Sequence, residues 1–298
     1  MYIQKYYKVI RVIKEPTPLY IENVSDSDGV FILQKNGATT HRPNLMYRIG
    51  DNGEWVEYDT TNLPSITVPS GSKIYFRGDN VNGFSIKSYY YNFYFSKSFN
   101  IGGYITSLLA LDNFNTISDI PQHSFCQLFK NQSNLLNVND LKTSNIINVG
   151  IYGLSRCFGD CTSLTTAPNF SNVTTVDTYG FANCFENCTS LTTAPNFSNV
   201  TTVVKYGFKY CFENCTSLTT APNFSNVTTV DKYGFDYCFS GCTLLQLVYA
   251  PNISTWSTNS FNSWLKNVSP TGVMYKPTGL EIPTGTSGVP EGWTTVDY

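Results

Sequence analysis

The chain has 298 residues and a formal net charge of −2, long enough for two cored units or for one unit plus a repeat array. Charged residues make up 13%, about half the roughly 25% usual in soluble domains, so Ser, Thr, Asn and Tyr must cover the surface. No long-range field favours nucleic acid, no apolar run approaches the ~18 residues of a membrane-spanning helix, and aromatics at 15% favour strands.

Residues 1–14 alternate like a strand and carry Lys5, Lys8, Arg11 and Lys14 at three-residue steps. They lack the apolar stretch and small-residue cleavage site of an export signal. An edge strand with solvated charges accounts for them. The sharper expectation is an attachment segment, in which Tyr2, Lys5, Lys8 and Arg11 pair with a neighbouring subunit by strand addition.

Pro16 and Pro18 break the pairing, since proline cannot donate to a ladder. From 15 to 99 the pattern is hairpins. Phe31-Ile-Leu-Gln-Lys runs into Asn36-Gly37, and Tyr47-Arg-Ile-Gly into Asp51-Asn-Gly53 and Glu-Trp-Val-Glu-Tyr. Ser70-Gly71 separates Ile66-Thr-Val from Ile74-Tyr-Phe. Such turns supply the positive φ of tight hairpins, and short strands at this spacing predict a small β-sandwich.

Residues 100–268 repeat. Leu164, Leu191, Leu218 and Leu245 are 27 apart, as are Cys157, Cys184, Cys211 and Cys238, and Cys161, Cys188, Cys215 and Cys242. That period falls within the leucine-rich-repeat range. Each unit reads Leu-Thr-Thr-Ala-Pro-Asn-Phe-Ser-Asn-Val-Thr-Thr-Val, a Tyr-Gly-Phe segment, then Cys-Phe-x-x-Cys-Thr. Apolar residues at i, i+3 and i+4, as in Phe181, Cys184, Phe185 and Cys188, predict a short helix in the second part. A degenerate earlier unit contains Leu128 and Leu135, and a later one Trp264 and Leu265. Single repeats cannot bury their apolar face alone, so the units must stack. The fold class is mainly β with short helices: a β-sandwich over 15–99, a solenoid over 100–268 and a C-terminal cap over 269–298.

Cys-Phe-x-x-Cys-Thr-Ser-Leu-Thr-Thr-Ala-Pro resembles the BspA-like leucine-rich-repeat family, most closely the branch seen in gut Bacteroidales surface proteins and in virion proteins of their crAss-like phages. Lys73-Ile-Tyr-Phe-Arg-Gly-Asp-Asn80, Ile105-Thr-Ser-Leu-Leu109 and the ending from Pro283 to Trp293 extend the likeness over about 16–298. The resemblance implies display and adhesion rather than catalysis. A chain of surface character without an export signal fits a phage virion, so the expected role is a non-enzymatic fibre or decoration protein that binds a host glycan or protein. A bacterial cell-surface adhesin is the alternative, and a polysaccharide depolymerase the second. A homo-oligomer is compatible with this reading; membrane insertion and nucleic acid are not expected partners.

The nine cysteines read as buried free thiols serving as small apolar residues, with inter-rung disulfides as the alternative. Cys-x3-Cys is not zinc spacing, and no cofactor or metal is expected. The two histidines, His41 and His123, sit near no nucleophile elbow. Arg77-Gly-Asp79 lies in a turn and reads as coincidence. Asp26-Ser-Asp-Gly29 lacks the acidic ligand of a calcium loop. Units 164–190 and 191–217 differ only at Asp177/Val204, Thr178/Lys205, Ala182/Lys209 and Asn183/Tyr210. Solvent-exposed drift explains this; the functional reading is a contact surface of Tyr179, Tyr206, Lys209, Tyr210, Tyr233, Asp236 and Tyr237, since tyrosine buries large area at low entropic cost.

Overall fold

The computed structural model describes residues 15–37, 40–87 and 89–298. The proposed attachment residues Tyr2, Lys5, Lys8 and Arg11 lie outside them.

The aromatic, β-branched runs of the first part form eight strands: β1 (Leu19–Asn23), β2 (Gly29–Asn36), β3 (Met46–Ile49), β4 (Val56–Glu57), β5 (Ile66–Val68), β6 (Lys73–Arg77), β7 (Tyr90–Phe95) and β8 (Phe99–Tyr104). They sort into an antiparallel set ordered β8-β1-β6-β3-β4 and a smaller set ordered β5-β2-β7. The strand Leu135–Lys142 joins β8 in parallel and makes the first sheet six-stranded. The sheets meet through Phe31 and Phe93, whose ring centroids lie 4.6 and 4.7 Å from that of Phe76. All three rings are fully buried.

Of the three turns read as hairpins, only Asp51–Gly53 joins paired strands, with Met46 opposite Glu57. The Asn36-Gly37 turn leaves β2, whose partners are β5 and β7. Ser70-Gly71 leads from β5 into β6, which pairs with β1 and β3. Gly37 and Gly71 do take positive φ, but their turns carry the chain from one sheet to the other. Turn chemistry sets the local bend; which edge the next strand joins is decided by where its apolar face is buried.

In the repeats, Asp119–Ile120, Asn148–Val149, Thr175–Val176, Thr202–Val203 and Thr229–Val230 stack as one parallel sheet. A second parallel stack runs through Thr220–Asn223, Leu247–Tyr249, Gly272–Lys276 and Trp293–Asp297. Phenylalanines form interior columns. Phe129, Phe158, Phe185, Phe212 and Phe239 stack at 5.3–5.6 Å, and Phe181, Phe208, Phe235 and Phe261 at 5.4–5.5 Å. Each buried ring contributes about 1.5–3 kcal/mol, so the columns add substantially to the cohesion between rungs.

The short helices expected within the repeats are absent. The described helices are two single 3-10 turns, Ile105–Leu108 and Phe114–Thr116. The Tyr-Gly-Phe segment is instead a ribbon of consecutive turns. Alternate amides bond in two directions: Cys184 N–H donates to Phe181 three residues back, while Phe185 N–H donates to Cys211 on the next rung. Every fourth residue takes positive φ, as at Tyr179, Asn183 and Asn187, and at Tyr206, Tyr210 and Asn214. A run of four-residue turns puts i, i+3 and i+4 on one face as a helix does, but half its hydrogen bonds tie neighbouring rungs together. The glycine of the motif answers a close approach: a Cβ on Gly234 would lie 2.8 Å from the Val230 side chain.

Both ends of the stack are covered. The first ribbon has no preceding rung, and β7 takes its place. Phe93 N–H donates to the Leu128 carbonyl at 2.6 Å, and the Asn92 amide to Gln127 and Lys130 at 2.8 Å each. At the far end, the indole of Trp264 donates to Gly288 at 3.1 Å. Such caps are what an otherwise open repeat stack requires.

Candidate ligand-binding face

The residues at positive φ on successive ribbons line up. Tyr152, Tyr179, Tyr206 and Tyr233 form a ladder with centroid steps of 4.5, 4.7 and 5.2 Å and interplanar angles of 16° or less. His123 extends it below Tyr152, at 5.0 Å and 10°. Stacked this closely, the ladder covers its own ring faces. It presents half-buried edges and hydroxyls, a comb of hydrogen-bonding groups. Burial first, then the neighbouring phenols, raises the pKa of Tyr179, so its hydroxyl remains a donor at physiological pH.

Beside the ladder runs a second column: Arg156, Asn183, Tyr210 and Tyr237. Between the two lies a floor of Cys126, Ser155 and Ala182. Small floor residues leave a groove of about 590 Å³, walled on one side by Tyr90, Tyr152 and Tyr179 and on the other by Gln127, Arg156 and Asn183. The groove ends where the floor rises to Lys209 and the wall to Tyr210. Tyr237 backs Tyr210 from the next rung at 5.1 Å and 30°. Tyr210 itself is half-buried and lines the groove's end.

Residues 115–268, just over half the chain, match the BspA type leucine rich repeat region in six copies. The chain belongs to that family. No curated protein and no solved structure matches it. BspA-type arrays are typically non-enzymatic binding modules, and the groove has the form of a binding surface. Among the described residues no cluster of three or more His, Cys, Asp or Glu is placed to hold a metal ion. No helix there is long and apolar enough to cross a membrane.

At the groove's end the Lys209 ammonium lies 2.9 Å from Asp236 and 4.9 Å from the ring centroids of both Tyr206 and Tyr210. Burial opposes the lysine's charge most strongly, but the Asp236 hydrogen bond and charge together with the Tyr210 and Tyr179 phenols outweigh it and the pKa is raised. Burial, then Glu186 and Asp236, pushes the Glu213 carboxyl up.

Of the seven residues singled out from sequence, Tyr179, Lys209 and Tyr210 line the groove. Tyr206 and Tyr233 continue the ladder past its end. Asp236 is 4% exposed, its carboxylate engaged by Lys209 and by the Asn262 amide at 2.7 Å. It holds Lys209 in place rather than facing outward. Sequence reasoning missed Tyr90, Ser155, Arg156 and Tyr152. The last was within reach, since it lies 27 residues before Tyr179.

All nine cysteines are free and buried. The Sγ atoms of Cys161, Cys188, Cys215 and Cys242 donate to the carbonyls of Phe129, Phe158, Phe185 and Phe212 at 3.0–3.2 Å. Desolvation raises the pKa of every one of these four thiols, which removes the thiolate that reactivity needs.

Proposed function

We propose that this protein is a virion component, a fibre or decoration protein, in which a β-sandwich carries a leucine-rich-repeat solenoid that binds a glycan on the host surface. The observation that carries the binding reading is the groove beside the tyrosine ladder. A phenol comb on one wall and Arg156 and Asn183 on the other match a ligand rich in hydroxyls. The half-buried Tyr210 ring at the groove's end offers apolar surface to one sugar ring, and Lys209 at the same end donates to its oxygens.

The virion placement is supported by the low charge of the surface and by nine buried thiols without a disulfide. That thiol pattern suits assembly in a reducing cytosol rather than export through an oxidising compartment. The family's common role favours a second reading, a bacterial cell-surface adhesin with the same groove. Immunogold labelling separates them: antibody to this chain should decorate purified phage particles and leave uninfected bacteria bare. Label on uninfected cells alone would establish the adhesin. For the groove, purified protein should adsorb to host cells, and periodate oxidation of the cell-surface glycan should abolish adsorption. Protease-sensitive, periodate-resistant adsorption would replace the glycan with a protein receptor.

A further inference from the structure

The outer face of the six-stranded sheet carries a second, unrelated site. One cross-strand row runs Arg48, Tyr75, Tyr20, Gly102, Asp140, each directly opposite the next. Gly102 is required there because a Cβ would lie 2.3 Å from the Tyr20 hydroxyl. Its absence lets the Tyr20 ring lie across β8 and donate to Asp140 at 3.3 Å. Tyr75 donates in the same way to Asp51. Burial, followed by the Asp140 charge, pushes Tyr20 up to about 12, so the phenol remains a donor and the carboxylate is fixed in direction.

Two guanidiniums lie over Trp55, with Arg77 at 4.2 Å and Arg48 at 5.0 Å from its centroid. Arg48 also lies 4.9 Å from the Tyr75 ring. The Nε of each arginine is buried with no hydrogen-bond partner, and neither guanidinium has a carboxylate partner among the described residues. These groups line a cavity of about 830 Å³. Aromatic planes that hold two guanidiniums unpaired leave their N–H edges for an acceptor from outside, and a carboxylate matches that fork bidentately.

The rest of the lining narrows the class. Asp51 and Asp140 oppose a polyphosphate or nucleic acid but accept hydroxyl donors. β1 and β6 are each flanked by two strands, so neither offers a free edge for an extended peptide to join. We infer that this cavity binds an oligosaccharide bearing a uronic acid, with its carboxylate on Arg48 and Arg77 and its hydroxyls on Asp51 and Asp140. The site is independent of the groove on the ribbons.

The test is calorimetric titration of the full chain with tetragalacturonate, a glucuronate-containing oligosaccharide, neutral maltotetraose and hexaglutamate. At least one acidic sugar should bind with a Kd below about 1 mM, more weakly as salt rises. Arg48→Gln and Arg77→Gln should each weaken it at least tenfold at unchanged melting temperature, and Tyr210→Asn should leave it unaltered. Should either arginine variant fail to fold, Asp140→Asn with wild-type melting should still lose several-fold. Failure of both acidic sugars at millimolar concentration overturns the inference, as does equal binding of maltotetraose. Binding of hexaglutamate alone makes the cavity a peptide site, and loss in Tyr210→Asn but not Arg48→Gln moves the acidic sugar to the groove.

Discussion

Lys209 and Asp236 stand one rung apart and form an ion pair at 2.9 Å, at the point where the groove floor changes from small side chains to a charge. The Asp236 side chain is 6% exposed and that of Lys209 25%. Removing the lysine strands a buried carboxylate with one amide partner. Lys209→Ala should destabilise the protein by about 1–3 kcal/mol, between the values for exposed and fully buried pairs. Urea unfolding checks this. The double variant with Asp236→Ala should lose less than the sum of the two single changes, because the pair acts as a unit. Additive losses would mean that the two side chains do not interact in solution.

Much of the stack was legible because a 27-residue period places Leu, Cys and Phe at the same address on every rung. The ribbon was misread because Phe181, Cys184, Phe185 and Cys188 fit a helix and a chain of four-residue turns equally well. The distinguishing sign lay elsewhere, in Asn183, Asn187, Asn214 and Gly241. These are residue types that tolerate positive φ; Asn183 and Asn187 stand four apart, and Asn214 and Gly241 hold the Asn187 address on the next two rungs. The crossing of β2 and β5 between sheets left no such sign, since Asn36-Gly37 and Ser70-Gly71 suit a bend of any destination. The cavity over Trp55 was invisible for a related reason. Arg48, Trp55, Tyr75 and Asp140 come together only through strand register, and nothing in their local sequence marks them.

The thiols give a paired prediction. Cys215 already donates its Sγ to the Phe185 carbonyl at 3.1 Å, so Cys215→Ser keeps a donor aimed at an acceptor. Cys211 makes no bond of that kind to a carbonyl among the described residues, and its substitution by serine buries a hydroxyl without one. Cys211→Ser should therefore cost about 1–3 kcal/mol and Cys215→Ser clearly less. Ellman titration should find few reactive thiols in the native protein and about nine after denaturation without reductant, in line with their burial. A native protein that reacts fully would mean that the rungs open readily.

His123 supplies a pH dependence. It is 6% exposed, and its buried Nδ1 has no partner. Burial first, then Lys87, lowers its pKa. A base whose folded pKa is depressed is bound by its proton first in the unfolded chain, so stability declines as pH falls below the unfolded value of about 6.5 and levels off below the folded one. The melting temperature should drop between pH 7.5 and 5.5. His123→Phe, which keeps a ring against Tyr152, should shrink that drop. An unchanged slope in the variant would place the titrating group elsewhere.

The groove makes the sharpest demand, because it assigns different roles to two adjacent tyrosines. Tyr210 lines the end of the groove, whereas Tyr237 stands behind it and outside the lining. Both hold positive φ near 54°, where asparagine is better tolerated than tyrosine, and Asn183 occupies the same position one rung earlier. Asparagine substitution thus tests the ring without straining the ribbon. Tyr210→Asn should weaken attachment to host cells at least tenfold, about 1.4 kcal/mol, in keeping with tyrosine hot spots. Tyr237→Asn should act only through its neighbour, with a loss of a few-fold. Melting temperatures should stay near the wild-type value in both. Thr192 and Thr219 are exposed on the extended segments, away from the ribbons, and alanine there should leave attachment nearly unchanged. If the threonine variants abolish attachment while Tyr210→Asn does not, ligand meets the extended segments and the groove has another use.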